Sequence, residues 1–80
     1  MTNAEREAAL QEKFDRVNWS MRIEKREGFE RISVFNLTQT LVGVITLNEG
    51  GGYHCEPKHH DDLLRRTFYR VVDGVLSEGP

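Results

Sequence analysis

The apolar residues of this chain change their spacing twice, which divides it into a helix, a set of strands and a second helix. First, Leu10, Phe14 and Val17 fall at i, i+4 and i+7, with Ala4 and Ala8 near the same side. That is the spacing of one helical face. Thr2 and Glu5 make a capping-box pair at its start, with Asn3 as a rival cap. Glu12 and Arg16 stand at i, i+4 on the wet side, where opposite charges support a helix. The stripe is narrow, so this helix lies on a surface.

From Trp19 the period becomes two: Trp19, Met21 and Ile23 alternate with Ser20, Arg22 and Glu24. Taking Glu27-Gly28 as a hairpin loop sets Ile23 opposite Ile32, Met21 opposite Val34, Lys25 opposite Glu30 and Glu24 opposite Arg31. Apolar then meets apolar and opposite charges meet, whereas a one-residue slip sets Ile23 against Arg31. Asn36 to Thr40 reads as a turn. The following TLVGVITL, residues 40–47, is apolar on both faces, as a central strand should be. With Ile32 opposite Ile45, Phe35 meets Val42 and Asn36 meets Leu41. After the loop Asn48-Glu49-Gly50-Gly51-Gly52, Tyr53-His54-Cys55 returns as a short fourth strand. Pro57 is expected to open the second helix, with Asp61 and Asp62 near its positive end. Leu64, Phe68, Val71, Val72 and Val75 form its apolar stripe. Ser77-Glu78-Gly79-Pro80 is expected to fray.

The element order is α-β-β-β(-β)-α over a single small domain, residues 1–80. It predicts an α+β, two-layer sandwich of an antiparallel meander sheet and two helices. Both helices are expected on the sheet face carrying Met21, Ile23, Ile32, Val34 and Ile45. The far face then carries Ser20, Arg22, Glu24, Arg31 and Ser33 together with Phe35, Val42 and Val44, and Leu37 at its edge. An apolar patch with a charged rim is the mark of an association surface.

Composition narrows the function. Thirteen acids against 11 basic residues give a net charge of −2, without the basic surplus that nucleic-acid backbones attract. Cys55 is the only cysteine, so an internal disulfide is excluded and a cytoplasmic location is expected. The N-terminal stretch has no apolar leader core, and no segment approaches membrane-spanning length. Asn36-Leu37-Thr38 matches a glycosylation sequon and is read as a turn.

The stretch YHCEPKHHDD, residues 53–62, holds all three histidines and the cysteine. His54, Cys55 and His59 are the right types for a metal-binding domain. The spacing is poor, because neighbours on a strand point to opposite faces and no second ligand pair exists elsewhere. No cofactor or metal is therefore expected, and His54, Cys55 and His59 stand as the alternative. Nucleophilic catalysis through Cys55 lacks an orienting group and an oxyanion hole, so no enzymatic activity is expected. Glu49-Gly50-Gly51-Gly52-Tyr53 lacks the glycine spacing and lysine of a phosphate loop.

The α-β-β-β-α order resembles the double-stranded-RNA-binding domain, which implies nucleic-acid binding as a further alternative. At the lysine-rich start of that family's second helix, this chain has Lys58-His59-His60-Asp61-Asp62, one lysine followed by two acids. In its short length, few motifs and mixed surface charge, the chain is similar to the accessory proteins of phages and mobile elements. Many of those bind and block a host complex, including CRISPR and other defence assemblies.

The expectation is a non-enzymatic protein-binding module, an inhibitor or adaptor acting stoichiometrically on a larger host assembly. Phe35, Val42 and Val44 would anchor it, with Arg22, Glu24, Arg26 and Arg31 as the rim. The 58–66 helix start, with Arg65 and Arg66, is a second candidate surface. The same sheet face would also serve a homodimer.

Overall fold

A computed structural model describes residues 2–77; residues 78–80 of the expected fraying end lie outside it. Helix α1 spans Asn3–Asp15, strands β1 to β4 span Ser20–Arg26, Phe29–Phe35, Leu41–Asn48 and Tyr53–Pro57, and helix α2 spans Asp62–Leu76. The strands form one antiparallel sheet in the order β1-β2-β3-β4. This is the α+β meander expected, with the fourth strand present.

The start of α1 is a complete capping box. Glu5 N–H donates to Thr2 Oγ1 at 3.2 Å and Thr2 N–H donates to Glu5 Oε1 at 3.0 Å. Two of the unpaired donors at the helix start are thereby satisfied. The accepted bonds also lower the Glu5 carboxyl below its ordinary range. Asn18 then takes a left-handed φ of 61°, a conformation asparagine tolerates. The chain folds back, Trp19 N–H donates to Phe14 O at 3.0 Å, and the two rings stack with centroids 5.7 Å apart.

The β1–β2 register is the expected one throughout, from Met21 opposite Val34 to Lys25 opposite Glu30, and Gly28 closes the loop with a φ of 83°. Ile32 opposite Ile45 also holds. A bulge between Val34 and Phe35 changes the rest. Phe35 pairs with Leu41 rather than Val42, and Val34 with Gly43. Val42 is the extra residue. A bulge re-aims side chains, and Val42 is fully buried as a member of the core rather than exposed on the far face. Asn36 organises the adjoining turn, its Oδ1 accepting from the N–H groups of Thr38 and Thr40 and from Thr38 Oγ1.

Pro57 does not open the second helix. It ends β4, opposite Gly43, and Lys58 N–H continues to Val42 O at 2.8 Å. A proline lacking its N–H is tolerated at the end of an edge strand. The N-cap of helix α2 comes four residues later, where Asp61 Oδ1 accepts from Leu64 N–H at 3.1 Å. An aspartate cap is the stronger start signal because it satisfies an open donor as well as matching the helix dipole.

Both helices cover one face. Leu10 and Phe14 of α1, and Phe68, Val72, Val75 and Leu76 of α2, close with Ile32, Val34, Ile45 and Leu47 into one core. Phe14 and Phe68 join the helices across the layer, with centroids 6.4 Å apart.

Candidate functional site

Because both helices occupy one side, the other side of the sheet is bare among the described residues. Strand alternation gives it Ser20, Arg22, Glu24 and Arg26 from β1, Phe29, Arg31, Ser33 and Phe35 from β2, Val44 and Thr46 from β3, and His54 and Glu56 from β4. The charged members are exposed, while Phe29, Phe35 and Val44 are half-buried.

Two aromatic rings mark opposite ends of β2, each beneath an arginine. The Arg22 guanidinium carbon lies 5.8 Å from the centroid of Phe35, and that of Arg31 lies 5.9 Å from Phe29. An arginine over an aromatic face is held by the ring quadrupole and keeps its fork free for a partner. Arg26 pairs with Glu24 on the same strand. Lys58 pairs with Glu56 at 3.0 Å, and this pair holds the Glu56 carboxyl below its ordinary range. Arg31, Val44, Thr46, Glu56 and Lys58 line a shallow depression of about 260 Å³ between β2 and β4.

The charge on this face has the opposite sign to that of the rest of the chain. Arg22, Arg26, Arg31 and Lys58 outnumber Glu24 and Glu56 by two. The remainder holds seven basic residues (11 less four) against eleven acidic ones (13 less two). Such segregation gives the face a local positive field that the net charge conceals.

Of the expected contact residues, Arg22, Glu24, Arg26, Arg31, Phe35 and Val44 come together here. Val42 does not, being buried behind the bulge. Arg65 and Arg66 lie on α2, exposed but in the other layer. Phe29, Thr46 and Lys58 extend the face beyond the residues singled out from sequence. Phe29 was legible, since the hairpin register puts it at i−2 from Arg31 and opposite Arg26. Lys58 was hidden by the assignment of Pro57 to a helix.

His54 and Cys55 are not brought together. His54 is exposed on the bare face, whereas Cys55 packs against the core beneath α2. The rings of His59 and His60 stack with centroids 4.9 Å apart, and His59 Nδ1 accepts from Asp61 N–H at 3.1 Å. Among the described residues, no group of three or more His, Cys, Asp or Glu side chains is arranged to hold a metal ion. The Cys55 thiol is pushed above its ordinary range by burial and by Asp73, which disfavours the thiolate. Among the described residues, no helix is long and apolar enough to cross a membrane.

No protein-family model matches the chain, and no curated protein or solved structure is significantly similar to it.

Proposed function

We propose that this protein is a non-enzymatic binding module that docks through its bare sheet face onto the acidic surface of a protein partner. It would act there stoichiometrically, as an inhibitor or adaptor of a larger assembly. Blocking of a host complex by a phage or mobile-element protein, with CRISPR and other defence assemblies as examples, is the kind of role this suits. A single half-buried cysteine suits a reducing cytoplasm.

The observation that supports the reading is the pairing of Phe35 with Arg22 and of Phe29 with Arg31 on a face that neither helix covers. Partly buried aromatics and arginines are the residue types that anchor protein interfaces. The local positive excess selects an acidic counterpart and speeds encounter with it.

The test compares the wild-type chain with Phe35→Asp and Arg31→Glu in affinity capture from host extract, followed by a titration with the captured protein. The reading requires saturation at a fixed stoichiometry by wild type and loss of capture by both folded variants. Equal capture by all three overturns it.

A second reading is favoured by the same arginine-covered rings. Single-stranded nucleic acid stacks on aromatic faces flanked by basic side chains. It predicts an affinity for oligonucleotides that falls steeply with salt, and the absence of such a complex removes it.

A further inference from the structure

Strand β1 is one edge of the sheet, and every residue of it except Met21 is exposed. The two-residue loop closes on the pair Arg26–Phe29. In an antiparallel ladder this directs the backbone groups of Ser20, Arg22, Glu24 and Arg26 toward β2. Those of Met21, Ile23 and Lys25 face the open edge. Such a row is a template for another strand.

The sequence of β1 suits a particular strand, namely another β1. Run antiparallel with Ile23 opposite the partner's Ile23, it sets Arg22 opposite the partner's Glu24 and Glu24 opposite the partner's Arg22. Met21 meets the partner's Lys25 on the helix side. Shifting the register by two residues one way sets Arg22 against the partner's Arg22. Shifting it the other way sets Glu24 against the partner's Glu24, and Arg22 against the partner's Arg26. An odd shift opposes inward to outward side chains and is excluded by the pleat.

The backbone phase agrees. Ile23 and Met21 offer their groups to the edge, so the Ile23–Ile23 and Met21–Lys25 positions are the hydrogen-bonding ones. The two Arg22–Glu24 positions are then the closer, non-hydrogen-bonded ones, where cross-strand charge pairs interact best. Ile23 is 39% exposed, and its self-contact on the two-fold axis would cover it. Inward lysines often guard an edge. Lys25 here has Glu30 opposite it and Glu7 of α1 close enough for their charges to interact, which leaves its aliphatic stem for the partner's Met21.

We propose that β1 pairs with β1 of a second copy in this register, joining two four-stranded sheets into one continuous sheet. The two-fold axis stands perpendicular to the sheet. Both helix layers then lie on one side, and the two bare faces lie side by side on the other, with Arg22 and Glu24 at the seam. The pairing is independent of what docks on the bare face.

The test is the solution mass of the purified protein by sedimentation equilibrium. Wild type is expected at twice the 9.3 kDa chain mass. Arg22→Glu, Glu24→Arg and Ile23→Lys are each expected at the single-chain mass, with unchanged circular dichroism. An equimolar mixture of Arg22→Glu with Glu24→Arg is expected to recover the dimer, because both seam pairs become opposite in charge again. Phe35→Asp is expected to remain dimeric. The pairing is overturned by a single-chain mass for wild type across its soluble range, by a dimeric Ile23→Lys, by a mixture that stays monomeric while both charge variants are folded, or by loss of the dimer in folded Phe35→Asp. Should either charge variant fail to fold, Ile23→Lys and Phe35→Asp decide the matter between them.

Discussion

The ring of Phe68 sits directly on the backbone of Gly43: a Cβ built at Gly43 would lie 2.5 Å from the Phe68 ring. Glycine at this position of a central strand is therefore a packing choice, letting α2 settle close to β3. Gly43→Ala is expected to destabilise the fold by about 1–3 kcal/mol, the usual cost of overpacking a filled core. Phe68→Leu in the same chain should recover part of that loss. Chemical denaturation of the four proteins of this cycle measures the coupling, and strict additivity would mean that the two positions do not clash.

The contrast between Phe35 and Val42 gives a second expectation. Phe35 is half-buried on the bare face and Val42 is fully buried. Phe35→Asp should leave a folded protein. Val42→Asp should cost upwards of about 4 kcal/mol, as a charge placed in a core without a partner does. Thermal unfolding followed by circular dichroism separates the two. A Val42→Asp variant as stable as Phe35→Asp would place Val42 on the outside after all.

That contrast also marks the limit of what the sequence discloses. The β1–β2 register was legible because both faces of the hairpin carry matched pairs: Ile23 with Ile32, and Glu24 with Arg31. The central strand was legible because TLVGVITL places apolar residues on both of its faces. The bulge was not, because Leu41, Val42 and Val44 are all apolar and either register buries something acceptable; the turn bonds of Asn36 decide it. Likewise Pro57 is a good helix-start residue by type, and only the ladder to Gly43 keeps it in β4. The bare face was foreseen in Phe35, Val44 and the four charged residues of the rim. Its β4 side, with Lys58, depended on a strand end that local preference disguised.

Glu7 of α1 lies beside Glu30 of β2, and the protonation of Glu7 should be felt in stability. Burial first, and then the neighbouring Glu30 carboxyl, push the Glu7 carboxyl above its ordinary range. A raised folded-state value stabilises the fold below the ordinary glutamate range, and that contribution is lost as pH rises through the raised value. Glu7→Gln should therefore raise the melting temperature relative to wild type at neutral pH, with the gain shrinking as pH falls toward 4. A gain that is the same at both pH values would mean that the Glu7 carboxyl is not held above its ordinary range.

Cys55 and Tyr53 lie on the helix side of β4 with Asp73 of α2 acting on both. Tyr53 Oη donates to Asp73 Oδ1 at 3.4 Å, and both the phenol and the thiol are pushed above their ordinary ranges, chiefly by burial. The neutral forms are the folded ones, so their contribution is complete below the ordinary thiol range and is lost as pH rises through the raised values. Alkylation of Cys55 in the native protein at about pH 8 should be several-fold slower than in the chain unfolded by denaturant, since the reactive species is the thiolate. Asp73→Asn removes the repelling charge while keeping the shape. It should speed that reaction modestly and make the alkaline loss of stability smaller, because the folded-state values move back toward the ordinary ones. Native Cys55 reacting as fast as the unfolded chain would show that the thiol is not held back by its packing against the core.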